Sequence, residues 1–343
     1  MVRLVAPRQL SGSWFEGGPR GLVLNASGGT ARHASSDRSV LYRFNRFHQR
    51  GREPDRQAVS VLALGDSFTF GWLVEERESF VGRLEDRANR TFDGKRFQFL
   101  NAATGGWGTA DALAYLESYG TLVRPKAVLL FINYDDPARS LYRGLYALRG
   151  SEGAALVARD GPVQGDALIR TVRSLPGYRW LVSRSHLLQL LRESAVRLGG
   201  LGRTPRTASE ALRTTPSGEA AGGTSSLRPG NAMPSDKAES ELQETKRMMR
   251  GLLRRFNSWC QASKVQLFVI GIGWPPARYR WLAPIAAEEG VDYVDLSDRI
   301  RDKVTANWDR YTLAGDGHPS AEGHALITGA AWPWLAPRLA KLR

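Results

Sequence analysis

Apolar positions along the chain gather into two kinds of stretch that alternate. Short apolar-rich runs stand at 59–65, 97–101, 127–133, 265–271 and 291–296, and several of them are β-branched or aliphatic almost throughout. Runs of that length and composition predict strands buried on both faces. Between them, longer stretches carry apolar residues at helical spacing, near 76–90, 109–123, 235–263 and 282–289, with a last one following Pro319-Ser320. Thr109 and Asp111 suit the opening of the second of these helices, and Arg124-Pro125 closes it. Ser235-Asp236 can cap the long third helix, with Leu242, Met249, Leu252, Leu253 and Phe256 on its inner side. Strands alternating with helices predict a three-layer α/β/α sandwich around a five-stranded parallel, flavodoxin-like sheet.

The remaining stretches break this rhythm. Residues 1–58 form a basic N-terminal accessory segment with ten basic and four acidic residues. Gly21–Asn25 and Ser39–Asn45 are candidate short strands within it, and a poorly ordered arm is the equal alternative. Residues 137–150 read as loop and short helix, and 166–197 as amphipathic helix interrupted at Pro176-Gly177. From 199 to 235 Gly, Ser, Thr, Pro and Ala dominate, so this stretch is expected to be a flexible insertion or linker. The domain reading is therefore one catalytic domain over 59–340, preceded by 1–58 and interrupted at about 199–235.

Composition narrows the function classes. The chain has 343 residues and 42% apolar residues, enough for one large α/β domain. Its single cysteine, Cys260, excludes an intrachain disulfide framework, and His33, His48, His186, His318 and His324 lack metal-binding spacing, so no cofactor and no metal is expected. A surface role is the default for His33 and His48, and a helix-surface or packing role for His186. The formal charge is +14, yet only seven of the 48 basic residues are lysine and the arginines are spread along the whole chain. Dispersal without a reader motif argues against nucleic acid, while a basic surface would attract an anionic substrate or acyl donor over long range. No apolar stretch is long enough for a membrane span, and Met1–Pro7 lacks the apolar core of a signal peptide. The chain as written is expected to be soluble and cytoplasmic, or exported if a leader has been removed.

Candidate chemistry lies where the first apolar run stops, at Gly65-Asp66-Ser67. Ligands in open α/β sheets bind beyond the carboxyl ends of the strands, which makes Ser67 a candidate nucleophile. The tripeptide alone is equally consistent with a turn and a helix cap. The stretch Gly65-Asp66-Ser67-Phe68-Thr69-Phe70-Gly71 resembles the first block of the GDSL/SGNH hydrolases. Asn101 to Thr109 looks like the second block of that family and Asp316 to His324 like the last. The resemblance covers roughly residues 59 to 140 and 237 to 335.

What the resemblance implies is an esterase in which Ser67 attacks an acyl carbonyl, His318 moves its proton and Asp316 holds the imidazole tautomer. Oxyanion donors would come from the Ser67 and Gly106 backbone and from a third-block asparagine. The sequence departs from the pattern at two points. The usual acid position is Gly315, so Asp316 stands one residue late and the pair could be a dyad. Aligned without gaps, Asp135 stands at the oxyanion asparagine, where an ionised carboxylate ~4 Å from the developing charge would be repelled by about 4 kcal/mol. Asn133, two residues earlier, is the alternative donor. Three readings stay open: an O-acyl hydrolase or deacetylase on an acylated glycan or small acylated metabolite, an O-acyltransferase modifying a saccharide, and an impaired SGNH domain that binds carbohydrate without turning it over.

Overall fold

A computed structural model describes residues 14–35, 38–149, 155–159, 185, 236–274 and 280–342. Two small antiparallel pairs come first, β1 (Glu16–Gly17) with β2 (Val23–Leu24) and β3 (Thr30–Ala34) with β4 (Ser39–Arg43). Then follow β5 (Val59–Leu64), the one-turn helix α1 (Ser67–Phe70), α2 (Phe80–Thr91), β6 (Phe97–Asn101), α3 (Thr109–Val123), β7 (Ala127–Ile132) and α4 (Asp136–Tyr142). A hairpin of β8 (Tyr146–Arg149) and β9 (Ala155–Ala158) precedes α5 (Asp236–Ala262), β10 (Gln266–Gly271), α6 (Leu282–Glu288) and β11 (Asp292–Asp295). The chain closes with α7 (Ser297–Ala306), α8 (Trp308–Tyr311) and α9 (Ala321–Leu339).

The central sheet has five strands in the order β11-β10-β7-β5-β6, and every pairing in it is parallel. This is the expected flavodoxin-like order, which reverses between β5 and β7 and opens a crevice at their carboxyl ends. Alternation along the strands divides the core. Leu62, Leu64, Val128 and Leu130 pack with α3, α5 and α6 on one face, while Val61, Ala63, Leu129 and Phe131 pack with α2, α7 and α9 on the other. Each of the valine, leucine and phenylalanine side chains, buried on a sheet with two covered faces, contributes about 1.5–3 kcal/mol.

Several local differences have plain physical causes. The helix expected near 76–90 is divided, because Ser79 leaves the helical conformation and its hydroxyl accepts from the Gly82 N–H to start α2, leaving a 3-10 turn at Glu76–Glu78. Strand β3 carries no apolar run and is strand only by pairing with β4, where Val40 and Tyr42 face inward and Leu41 outward. Helix α7 buries just Ser297, Ile300 and Val304 along its length, too few apolar positions to announce it. Apart from residue 185, the expected helical stretch at 166–197, His186 and the insertion at 199–235 lie outside the described residues.

A third apolar cluster joins the N-terminal segment to the turn after β5. Trp14, Val40, Tyr42 and Phe44 pack with Phe70, Trp72, Leu73 and Leu313. His33 belongs here as well, buried rather than on the surface as expected, with its Nδ1 2.8 Å from the Tyr42 hydroxyl. Burial pushes this imidazole down to about 3, so it is neutral at physiological pH.

Candidate active site

Strand β5 ends at Gly65, where the chain turns tightly into α1. A Cβ at Gly65 would lie 2.3 Å from Thr69 Oγ1 and 3.1 Å from the Phe131 carbonyl, so only glycine permits this turn. Asp66 then caps α1, its Oδ1 accepting from the Phe68 N–H at 2.9 Å, and Ser67 opens the helix. The cap read from the tripeptide and the nucleophile candidate are thus both present, on adjacent residues.

Opposite Ser67 stands the loop before α9. The Leu313 N–H donates to the His318 carbonyl, Thr312 bridges Pro319, and Ser320 caps α9 through the Gly323 N–H. These bonds close a short loop that presents His318 toward β5. Ser67 Oγ lies 2.8 Å from His318 Nε2, and Asp316 Oδ1 is hydrogen-bonded to His318 Nδ1. With the Nδ1 proton donated to Asp316, Nε2 is left as the acceptor for the serine hydroxyl. Asp316 therefore reaches the imidazole from one position after the usual one. The ring is flanked by Trp72, stacked at 5.6 Å and 24°, and by Phe68 at 4.9 Å.

Gly106 sits exposed on the loop between β6 and α3, in a left-handed conformation with φ +77°. The segment after β7 separates the two other candidates. Asn133 is buried; its side-chain N–H donates to Asp66 Oδ2 at 3.3 Å, and its backbone N–H to Asp136 Oδ2 at 2.8 Å. Asp135 instead turns to Arg139, 3.0 Å away, with its carboxylate partly open to solvent. The same guanidinium reaches Asp66 and Asp136 at 3.4 Å and the Trp107 carbonyl at 3.3 Å. Burial raises the Asp135 carboxyl against the pull of Arg139, and burial together with Asp66 raises Asp136 much further.

Sequence reasoning missed Arg139, Trp72, His33 and Arg50. Of these only Arg139 left a trace, four residues after Asp135 and three after Asp136, the spacing of helix neighbours. Among the described residues no group of three or more His, Cys, Asp or Glu could hold a metal ion, and no helix is long and apolar enough to cross a membrane. Cys260 is buried and its thiol is pushed up to about 12 by burial.

Residues 63–326 match the model of the GDSL-like lipase/acylhydrolase family. No curated protein matches the chain. Among solved structures it is similar to a two-domain esterase (CEX) active on acetylated mannans, at 13% identity and a TM-score of 0.44 over 82% of this chain and 50% of that one. The chain thus spans half the length of that esterase. It is also similar to a protein of the G-D-S-L family from Desulfitobacterium hafniense DCB-2, at 11% identity and a TM-score of 0.38, over 82% of this chain and 99% of that one. A catalytic mutant of Axe2, an acetylxylan esterase from Geobacillus stearothermophilus, gives 11% identity and a TM-score of 0.41, over 85% of this chain and 98% of that one.

Proposed function

The chain belongs to the GDSL-like lipase/acylhydrolase family, and from that premise we propose that it is a serine O-acyl hydrolase working through an acyl-enzyme on an acylated glycan or small acylated metabolite. The observation that carries the reading is the contact of Ser67 Oγ with His318 Nε2 at 2.8 Å while Asp316 holds Nδ1. A serine hydroxyl is a weak nucleophile until a base takes its proton, and the base must be held in one tautomer to do so.

In this reading Ser67 Oγ attacks the acyl carbonyl as its proton passes to His318 Nε2. The carbonyl oxygen becomes an oxyanion, which the backbone N–H groups of Ser67 and Gly106 and the amide of Asn133 receive. Asn133 suits this role because one amide N–H is spent on Asp66, next to the nucleophile, and the other remains to donate. Asp135 suits it less: its carboxylate has only acceptors, and Oδ2 is engaged by Arg139. Collapse of the intermediate expels the alcohol, which takes the proton back from His318. Water then repeats the sequence on the acyl-enzyme and frees the acid. Replacing that water by a sugar hydroxyl would make the same residues an acyltransferase.

A fluorophosphonate probe tests the assignment. It is expected to label the protein at Ser67 alone, and Ser67→Ala should abolish both labelling and ester turnover; labelling that survives the substitution overturns the reading. Product analysis with and without an acceptor sugar then separates release of free acid from transfer to the sugar.

A further inference from the structure

We propose that the segment from Trp14 to Gly51 is a working part of the hydrolytic centre, with Arg50 as the positioning residue that fixes the Ser67 turn. The inference rests on the serine-hydrolase reading above. Helix α1 is a single turn of four residues, too short to hold its own shape, and its last carbonyls have no partner within the helix. Asn101 Nδ2 supplies one partner, donating to the Thr69 carbonyl at 2.8 Å and to that of Phe70 at 3.4 Å, and the carbonyls that follow are held by Arg50. Its Nη1 donates to the carbonyls of Phe70 at 2.8 Å and Gly71 at 2.6 Å, and its Nη2 to that of Val74 at 2.6 Å. The guanidinium is buried, lies 4.5 Å from the Tyr42 ring centre and 5.1 Å from that of Phe70, and its residue is tied by its backbone N–H to the Asn101 carbonyl at the end of β6.

A cation taken out of water is costly, and apolar residues would have filled the same space without that cost. What the guanidinium provides is a rigid planar fork that holds three carbonyls at fixed positions, which a lysine's single ammonium cannot reproduce. Glycine is needed on the other side of the contact: at Gly71, φ is +82° and a Cβ would come within 2.8 Å of Arg50 Nη1. Asp66 therefore secures the front of α1, Arg50 together with Asn101 secures its rear, and the position of Ser67 Oγ is set between them.

The same segment also reaches the histidine. Tyr42 accepts from the Leu73 N–H at 2.8 Å, and its hydroxyl is hydrogen-bonded to His33. The His33 ring stands edge to face against Trp72 at 4.4 Å, and Trp72 in turn stacks on His318. Both members of the proton-transferring pair thus lean on residues 14–51, one through Arg50 and the other through Trp72.

The test compares Arg50→Lys and Tyr42→Phe with the unaltered chain, using p-nitrophenyl acetate turnover, the rate of fluorophosphonate labelling and the thermal unfolding curve. Arg52→Lys, at an exposed neighbour, serves as control and should match the unaltered chain. At temperatures where each variant is folded, Arg50→Lys should lower kcat by about ten- to a hundredfold, the scale of a misplaced reacting group. KM should stay within about twofold, the signature of an interaction that acts on the transition state alone. Labelling should slow in parallel. Tyr42→Phe keeps the packing and removes one hydroxyl, so it should give a smaller loss of the same kind and keeps the test decisive if Arg50→Lys does not fold. Variants that melt earlier yet keep kcat and labelling rate while folded would show that the segment only stabilises, and would overturn the inference. An unaltered chain that neither turns over the ester nor labels at Ser67 would overturn the hydrolase reading first.

Discussion

Asn133 and Asp135 stand two residues apart, and the fate of each is set by what it touches. A carboxylate at 135 aimed at a developing oxyanion would repel it, but Arg139 at 3.0 Å holds that carboxylate. Asn133, buried and tied to Asp66, keeps one N–H to give. Asn133→Ala is therefore expected to lower kcat by about 10²- to 10³-fold, the usual loss for one oxyanion donor. Asp135→Asn should change kcat by less than about threefold and cost about 1 kcal/mol or less, since a partly exposed pair is worth little. Steady-state kinetics on both variants decide the matter: a marked gain in turnover at neutral pH on Asp135→Asn would move the donor to position 135.

At the level of elements, the terminations of helices carry much of the local stability. Helix α3 begins with Asp111 accepting from the Gly108 N–H and ends at Arg124, whose φ of +53° lies in the left-handed region. That conformation favours glycine at a helix end, and a side-chain-bearing residue holds it at some cost. Arg124 is exposed, so Arg124→Gly is expected to raise stability by roughly 0.5–1 kcal/mol, read as a shift of the denaturation midpoint with unchanged slope. A destabilised variant would show that the arginine side chain holds the helix end by contacts stronger than its strain.

Across the whole molecule, two buried histidines make stability depend on pH. His33 and His324 are both pushed down to about 3, chiefly by burial. In the unfolded chain each titrates near the ordinary ~6.5, so between about 6.5 and 3 the unfolded state binds more protons than the folded one. Stability is then fully present above the upper value and falls with pH through that window, by about 1.4 kcal/mol per pH unit for each histidine. His324→Gln is expected to flatten this slope in urea titrations between pH 6.5 and 4; an unchanged slope would show that the imidazole is not buried neutral. The charge of +14 acts at the same scale. Turnover of an anionic acyl sugar should fall with added salt more steeply than that of a neutral one, because screening weakens long-range attraction. Equal salt dependence would remove charge from recognition.

The linear pattern determined the layers. Runs such as Val59–Leu64 and Ala127–Ile132 are apolar enough to be strands covered on both sides, and the stretches between them have helical period, so sheet and flanking helices follow from local burial alone. Gly65-Asp66-Ser67 and the stretch from Asp316 to Ser320 read locally as helix caps, and only their resemblance to family blocks marked Ser67, Asp316 and His318 as candidates, which the fold brings within hydrogen-bond reach of one another. Other features needed the assembled molecule, because they depend on contacts between positions far apart in the chain. Nothing near Arg50 in sequence shows that its side chain will meet the carbonyls of Phe70, Gly71 and Val74. His33 becomes a buried neutral base only when the N-terminal hairpin closes over Trp72. Arg139 and Asp66 likewise draw the side chains of Asp135 and Asn133 to different partners, which no local pattern announces. Hydrophobic period is a property of neighbours along the chain, whereas the partners that fix a polar side chain come from wherever the fold brings them.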